Sequence, residues 1–193
     1  MQRVTKEELQ GKKANYNKIL ENNIFVHPTD SGYFLACNAQ NKELVAQLRE
    51  LKKVSMQPFA IIAPNKEWIY DNFNIDSKQK AVVEKLGKRS VIDGQEHNVT
   101  LVLELKNKQA IAKNVAPGLD TVAVRIPDHW IMDFFSEIEK PFVSTTANTV
   151  GGNFVTHHDD ISDQVEKQVS LIIKDGKKEG IPNITFQPIA YKR

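Results

Sequence analysis

The stretch that decides the fold is HPTDSGYFLACNA, residues 27–39, which follows the short apolar run Ile24-Phe25-Val26. A second stretch, Ser144-Thr145-Thr146-Ala147-Asn148, comes much later in the chain and follows the apolar pair Phe142-Val143. Both stretches place small hydroxyl and amide side chains where a predicted strand ends, and a loop at that point can present them to a ligand. The sequence therefore predicts two strands that lead into a binding site.

Outward from these stretches, the spacing of apolar residues predicts strands and helices that follow one another without strict alternation. Strands are predicted at residues 24–26, 59–63, 99–105, 122–126, 142–143, 171–173 and 184–191. Helices are predicted at residues 41–53, 65–73 and 76–86, from Thr5 toward residue 22, from Asp128 onward, and from Asp160 or Ser162. This order is typical of the α/β class, so we expect a mixed sheet with flanking helices. Residues 1–193 are expected to form a single domain, since no linker or internal repeat divides them.

The composition, with 40% hydrophobic and 26% charged residues, is that of an ordinary globular protein. The net charge of +2 allows an anionic ligand, but nucleic-acid-binding domains usually carry a larger positive charge. The single cysteine, Cys37, excludes an internal disulfide and suits a reducing compartment. The polar start of the chain and the lack of an apolar run as long as a membrane span predict a cytoplasmic protein with no membrane segment.

Four motifs, in order along the chain, carry a family resemblance. The first stretch resembles Pro-Thr-Asp-Thr-x-Tyr-Gly-Leu-x-Cys-Asp/Asn-Ala, and the second resembles Ser-Thr-Ser-Ala-Asn. Between them, VAVRIPDH at residues 122–129 looks like Val-Gly-Val-Arg-Ile-Pro-Asp-His, and residues 52–63 resemble a Lys-x-Arg…Pro-Phe/Leu element with its following strand. These are motifs of the YrdC-like threonylcarbamoyl-AMP synthase family, and the resemblance covers nearly the whole chain.

The resemblance implies a twisted α/β sheet with a concave, positively charged cavity. It also implies an enzyme, a nucleotidyltransferase that joins L-threonine, bicarbonate and ATP into threonylcarbamoyl-adenylate and releases pyrophosphate. The product feeds the N6-threonylcarbamoyl modification of adenosine 37 in tRNA. ATP with Mg²⁺ is the expected cofactor set, and tRNA or tRNA-modification proteins are the expected macromolecular partners.

The resemblance also assigns roles to individual residues, on the premise that adenylyl transfer depends mainly on positioning and charge stabilisation. A lysine meets phosphate as a point charge, and an arginine offers a planar fork to a carboxylate or phosphate. Alternate residues of an extended segment share one face, so the first stretch could present a threonine pocket. The assigned residues are Lys52 and Arg125 for catalysis, Thr29, Ser31, Tyr33 and Thr100 for substrate, and Lys52, Lys53, Ser144, Thr146 and Asn148 for nucleotide; no metal ligand is identifiable directly.

The chain departs from the family pattern at several of these positions. Lys52 is followed two places later by Val54 instead of arginine, unless the alignment is anchored on Pro58, which places Lys53 on the arginine position. Phe34 stands for a glycine, and the family's Pro-Gly-Pro-x-Thr becomes EHNVT at residues 96–100. The alternative hypothesis is therefore a catalytically impaired YrdC-like protein that binds nucleotide or RNA without turnover.

Structural roles also remain open for the motif residues. Lys52 and Lys53 end a predicted helix, where cations interact favourably with the helix dipole. Cys37 is expected to be a small buried side chain and not a nucleophile. The run His157-His158-Asp159-Asp160 resembles a metal cluster, but adjacent residues of an extended segment point to opposite faces. We interpret this run as the start of a helix.

Overall fold

The computed structural model describes residues 1–149 and 151–187. Its strands are β1 (Gln2–Val4), β2 (Phe25–Pro28), β3 (Tyr33–Asn38), β4 (Ala60–Ile62), β5 (Phe73–Asn74), β6 (Ser90–Ile92), β7 (Gln95–Leu105), β8 (Thr121–Arg125), β9 (Phe142–Thr146), β10 (Leu171–Ile173) and β11 (Asn183–Phe186). Its helices are α1 (Lys6–Gly11), α2 (Lys13–Asn22), α3 (Lys42–Leu51), α4 (Lys66–Asn72), α5 (Ser77–Val83), α6 (Met132–Ile138) and α7 (Asp163–Glu166), with a 3₁₀ turn at His158–Asp160.

The strands form a mixed sheet in the order β1-β10-β2-β3-β9-β4-β8-β7-β11, and β5 and β6 add to β7. The pairs β1–β10, β10–β2, β4–β8 and β7–β11 are parallel, whereas β2–β3, β3–β9, β9–β4 and β8–β7 are antiparallel. The predicted α/β class with a mixed sheet and flanking helices is confirmed. Because β9 lies between β3 and β4, the two polar stretches of the sequence are neighbours in the sheet.

Alternate residues of each strand pack against helices on opposite faces of the sheet, as the two-residue period of a strand requires. On one face, Leu35 and Cys37 of β3 belong to a core cluster with Leu44 and Leu48 of α3. The other face has a second cluster, formed by strand residues Phe25, Ala36, Ile62 and Phe142 together with Leu20 of α2 and Phe134 and Phe135 of α6. The sheet is therefore the middle layer of three.

Two predicted helices differ from the observed ones. The helix predicted from Thr5 is divided at Lys12, although the Thr5–Glu8 capping box forms. Asp128 does not cap a helix, because α6 begins only after Ile131. The Asp128 backbone N–H instead donates to the Asp30 carboxylate at 3.0 Å, which holds this segment against the β2–β3 turn.

The ends of the chain also differ from the prediction. The strand expected at residues 184–191 is observed at Asn183–Phe186, on the edge of the sheet, and residues 188–191 lie outside the described residues. Strands β1, β5 and β6 were not predicted, since segments of two or three residues show no period, and β3 was also absent from the predicted strands. Among the described residues, no helix is long and apolar enough to cross a membrane.

Candidate functional site

The β2–β3 connection is a closed turn held by hydroxyl groups. The Thr29 backbone N–H donates to the Gly32 carbonyl at 2.8 Å, and the Thr29 hydroxyl oxygen accepts from the Ser31 backbone N–H at 3.1 Å. The two hydroxyl oxygens of Thr29 and Ser31 lie 3.1 Å apart, and both side chains are buried.

The expectation that Thr29, Ser31 and Tyr33 share one face of an extended segment is wrong, because the chain turns at Gly32. The Tyr33 ring enters the core, and its hydroxyl donates to the Gly176 carbonyl at 2.7 Å and accepts from the Asp175 backbone N–H at 2.9 Å. The Thr29 and Ser31 hydroxyl groups therefore lie side by side in the turn, whereas the Tyr33 hydroxyl lies at the connection that follows β10.

Asp30 anchors this turn to the end of β8 through a buried ion pair. Arg125 Nη2 donates to Asp30 Oδ1 at 2.7 Å, and the side chains are 5% and 2% exposed. Burial lowers the pKa of Arg125, and the Asp30 carboxylate opposes that shift. The charge of Arg125 is therefore compensated within the protein, although its Nε atom has no hydrogen-bond partner among the described residues.

An aromatic pair lies against the same turn. The Arg125 guanidinium carbon is 5.5 Å from the centroid of the Phe34 ring, which suits a cation–π contact. Phe34 also meets Phe154 edge-on, with the ring centroids 5.9 Å apart. A Cβ atom at position 32 would come within 2.5 Å of the Phe154 ring, so this close approach requires Gly32.

Lys52 connects the end of α3 to the second polar stretch. Its ammonium donates to the carbonyl oxygens of Thr146 at 2.9 Å and Asn148 at 2.7 Å, and to Asn148 Oδ1 at 2.9 Å. The Thr146 hydroxyl donates to the same Oδ1 at 2.6 Å. Burial lowers the pKa of Lys52, and no carboxylate among the described residues pairs with it. Its partners are neutral oxygens, so its positive charge is uncompensated.

Ser144 supplies a buried hydroxyl group in β9, two residues before Thr146. It stands opposite Ala36 of β3 and Ala60 of β4, so small side chains flank it on both sides. Its Oγ atom has no hydrogen-bond partner among the described residues, although the residue is only 5% exposed. A ligand with a polar group could satisfy this atom, since buried polar atoms are rarely left unpaired.

A cavity of about 480 Å³ lies beside the Lys52-bound loop. Residues 147–149 and 152–155 line it together with Asp160 and Ser162. A second cavity, of about 350 Å³, lies at the β7–β8 connection and contains none of the predicted site residues. Of the predicted site residues, Asn148 lines this cavity, which is large enough for a small molecule, and Lys52 and Thr146 are joined to it through their bonds to Asn148.

Two of the predicted residues are separate from these contacts. Thr100 exchanges hydrogen bonds with the Asn183 side chain, at 3.0 and 2.8 Å, and so connects β7 to β11. Lys53 is exposed and adopts a left-handed backbone conformation with φ of 49°. Their predicted roles in binding substrate and nucleotide stay predictions.

Comparison with known proteins places this arrangement in a family. The family model Sua5_yciO_yrdC, described as "Telomere recombination", matches residues 17–184. The chain belongs to the Sua5/YciO/YrdC family. The predicted resemblance is confirmed.

Curated Sua5/YciO/YrdC relatives are similar at low identity. A putative threonylcarbamoyl-AMP synthase of Methanocaldococcus jannaschii is 29% identical over 161 residues, which are 83% of this chain and 71% of that protein. The threonylcarbamoyl-AMP synthase of Bacillus subtilis is 26% identical over 164 residues, or 83% of this chain and 44% of that protein. The uncharacterized protein YciO of Escherichia coli K12 is 24% identical over 156 residues, 79% of this chain and 71% of that protein.

Solved structures of the family share the fold. P. abyssi Sua5 complexed with L-threonine matches with a TM-score of 0.83 at 21% identity, over 98% of this chain and 54% of that one. E. coli YciO matches with a TM-score of 0.77 at 20% identity, over 97% of this chain and 90% of that one. The chain thus spans about half the length of the P. abyssi Sua5 chain.

Two buried charged residues that hold the site segments in place escaped the sequence prediction. Asp30 lies inside the first family motif as its only acid, and that position could have suggested a partner for Arg125. Arg49 donates to four backbone carbonyls, those of Asn114, Ser55, Gln57 and Val115, at 2.6 to 3.1 Å. Arg49 therefore fixes the segment in which the Sua5/YciO/YrdC pattern has its second motif cation. Its place beside Leu48 on the buried side of α3 was the available signal.

Proposed function

We propose that the protein forms threonylcarbamoyl-adenylate from L-threonine, bicarbonate and ATP, with release of pyrophosphate and water. The observation that carries this proposal is the Lys52 ammonium, which is bound to the Thr146–Asn148 loop by neutral oxygens and keeps an uncompensated positive charge. An anion is the ligand that such a group attracts most strongly. The names of the curated relatives support the choice of this reaction within the family.

The residues around Lys52 suit the phosphates of ATP. In the proposed complex, Lys52 attracts the phosphates as a point charge. The unpaired Ser144 hydroxyl and the second N–H of the Asn148 amide are the available donors, and the Thr146 hydroxyl orients that amide. Mg²⁺ usually binds substrate phosphates and keeps several waters, so few protein ligands are required. Asp160 lines the adjacent cavity and is the candidate carboxylate ligand. Mg²⁺ would neutralise charge that develops on the leaving pyrophosphate.

The Thr29–Ser31 turn is the proposed threonine site. Both hydroxyl groups are buried next to each other, and the Asp30–Arg125 ion pair fixes the turn that carries them. Arg125 would act through Asp30 as a positioning residue, with its free Nε–H as a further donor to an anionic carbamate. Tyr33 would act through the segment at Asp175 and Gly176, and Thr100 through β11.

The test is a threonine-dependent assay of pyrophosphate release. Purified protein with ATP, bicarbonate and Mg²⁺ should release pyrophosphate when L-threonine is added, and mass spectrometry should detect threonylcarbamoyl-adenylate. No product above a control without threonine would reject the activity. Calorimetric titration with ATP and with RNA would then test the impaired nucleotide- or RNA-binding alternative.

The proposed product must be the substrate of a second enzyme. A threonylcarbamoyl-adenylate is an activated acyl donor, so a tRNA-modifying transferase must accept the threonylcarbamoyl group from it. tRNA and proteins of tRNA modification are therefore the proposed partners, and the cytoplasm is the proposed location.

A further inference from the structure

His157, His158 and Asp159 form a compact cluster at the start of the 3₁₀ turn. The His157 side chain caps that turn by accepting from the Asp159 backbone N–H at 3.3 Å, which confirms the predicted helix start. The premise that adjacent residues diverge is wrong, because the two imidazole rings stack with their centroids 4.3 Å apart. The three residues offer one potential ligand atom each, and these atoms lie within 4.8 Å of one another.

The contacts of His158 determine which of its ring nitrogens carries the proton. The Tyr33 hydroxyl gives its proton to the Gly176 carbonyl at 2.7 Å, so its oxygen can only accept from His158 Nδ1 at 3.4 Å. The proton of a neutral His158 therefore lies on Nδ1, and Nε2 carries a lone pair. That lone pair lies 3.6 Å from Asp159 Oδ1.

A ring nitrogen of His157 lies equally close to the same carboxylate. His157 Nδ1 is 3.5 Å from Asp159 Oδ2, and its lone pair accepts a long hydrogen bond, 3.3 Å, from the Asp159 backbone N–H, which a bound ion would replace. Ring nitrogens of both histidines thus lie within 3.6 Å of the two oxygens of one carboxylate.

The distances suit coordination. Two ligands at about 2.1 Å from a zinc ion, separated by the tetrahedral angle, are about 3.4 Å apart. We propose that His157 Nδ1, His158 Nε2 and the Asp159 carboxylate bind a divalent transition-metal ion such as Zn²⁺. Imidazole and carboxylate ligands together favour Zn²⁺, Ni²⁺ or Cu²⁺ over Mg²⁺ or Ca²⁺. The Tyr33 hydroxyl beside His158 Nδ1 is the kind of outer hydrogen bond that orients a metal-bound histidine.

Two cationic side chains lie near the proposed metal site. Arg3 donates to Asp159 Oδ1 at 3.1 Å, but its guanidinium also pairs with Glu166, so its charge is shared between two carboxylates. Lys174 is a second cation near His158. Because the Asp159 side chain is 67% exposed, water can fill a fourth coordination position. The ion would connect the 3₁₀ turn to Tyr33 at the start of β3.

The test uses the full chain and metal ions alone. Calorimetric titration with Zn²⁺ should show one equivalent bound, and Co²⁺ should develop visible absorption bands of a low-coordination site. Asp159→Asn and His158→Gln should each weaken binding by at least tenfold, a typical effect of losing part of a metal site. His97→Gln changes a half-buried histidine of β7 and is the matched control, so its affinity should equal that of the unaltered protein.

Two results would overturn the proposal: no heat of binding at millimolar Zn²⁺, or equal affinity in the unaltered protein and the Asp159→Asn variant. Asp159→Asn replaces an exposed side chain and should fold even if His158→Gln does not. Excess Mg²⁺ should not displace Zn²⁺. Because the readout is metal affinity, the result is independent of threonine-dependent turnover.

Discussion

The buried Asp30–Arg125 ion pair should make a large contribution to stability. Asp30→Asn preserves the shape of the side chain and the acceptor for the Asp128 backbone N–H, but it removes the negative charge. Arg125 then keeps a buried charge with no compensating partner. Since the side chain of Arg125 is only 5% exposed, water cannot replace Asp30.

The magnitude follows from the geometry. At the 2.7 Å separation of the two atoms, the attraction is about 6 kcal/mol with an effective dielectric constant of about 20. Desolvation of both groups offsets part of this attraction, and breaking one side of a buried pair typically costs about 3–5 kcal/mol. We expect Asp30→Asn to lower the free energy of unfolding by about that amount, a large share of the roughly 5–15 kcal/mol of a typical domain.

Urea denaturation followed by circular dichroism would measure the effect. Arg125→Met should be similarly destabilising, and the Asp30→Asn/Arg125→Met double variant should be at least about 1 kcal/mol more stable than the sum of the two single effects predicts. In the threonine-dependent assay, Asp30→Asn should raise KM for threonine more than KM for ATP, because the turn carries the proposed threonine site. Additive single effects below about 1 kcal/mol would refute the reasoning, since that is the size of an exposed pair.

Three further predictions concern other parts of the fold. Gly32→Ala should destabilise the protein by about 1–3 kcal/mol in the same urea titration, because the added Cβ would clash with Phe154. Gly11→Ala is the control: Gly11 has open space around it, so stability should change by less than about 1 kcal/mol. Burial lowers the pKa of His27 to about 3, so the unfolded chain takes up a proton at this histidine at higher pH than the folded protein does. As the pH falls from 6.5 to 3, the free energy of unfolding should therefore fall, by at most about 1.4 kcal/mol per pH unit for this group. His27→Leu should flatten that dependence on pH, and an unchanged slope would contradict the argument. Burial raises the pKa of Cys37 to about 12, so a thiol reagent should label it only after unfolding, and rapid labelling in native buffer would disprove its burial.

Local patterns were sufficient to predict several of the elements that form the core, although not β3. The spacing of Leu44, Val45, Leu48 and Leu51 predicted α3, because that spacing places all four on one helical face. The apolar run Leu171–Ile173 predicted β10, since a strand covered by helices on both sides is apolar throughout.

Elements that depend on distant partners were beyond local patterns. Strand β1 exists because Gln2–Val4 pairs in parallel with β10, and three residues show no period of their own. Asp128 had the residue type of a helix cap, but α6 begins only after Ile131, and the Asp128 N–H is held by Asp30, which is distant in sequence.

The motifs predicted which residues belong to the site, but not how those residues contact one another. The two polar stretches predicted strands that lead into a binding site, and the structure brings Lys52 into contact with Thr146 and Asn148 of the second stretch. The pairing of Arg125 with Asp30 was not predicted, because an arginine after a strand does not by itself show which carboxylate it will meet, and the only signal was that Asp30 is the single acid of the first motif. The turn at Gly32 separated Tyr33 from Thr29 for a similar reason, since the clearance around a glycine is set by a distant side chain, here Phe154.

The most direct test of the central claim compares Lys52→Met with Lys42→Met in threonine-dependent pyrophosphate release. Lys42 lies exposed at the other end of α3, so its replacement preserves the helix and changes the same net charge. If Lys52 binds the phosphates, Lys52→Met should reduce kcat/KM on the order of 10²-fold, as the loss of one charge-stabilising group typically does, while Lys42→Met retains activity. Equal activity of the two variants, with both folded by circular dichroism, would contradict the assignment of Lys52 to the nucleotide.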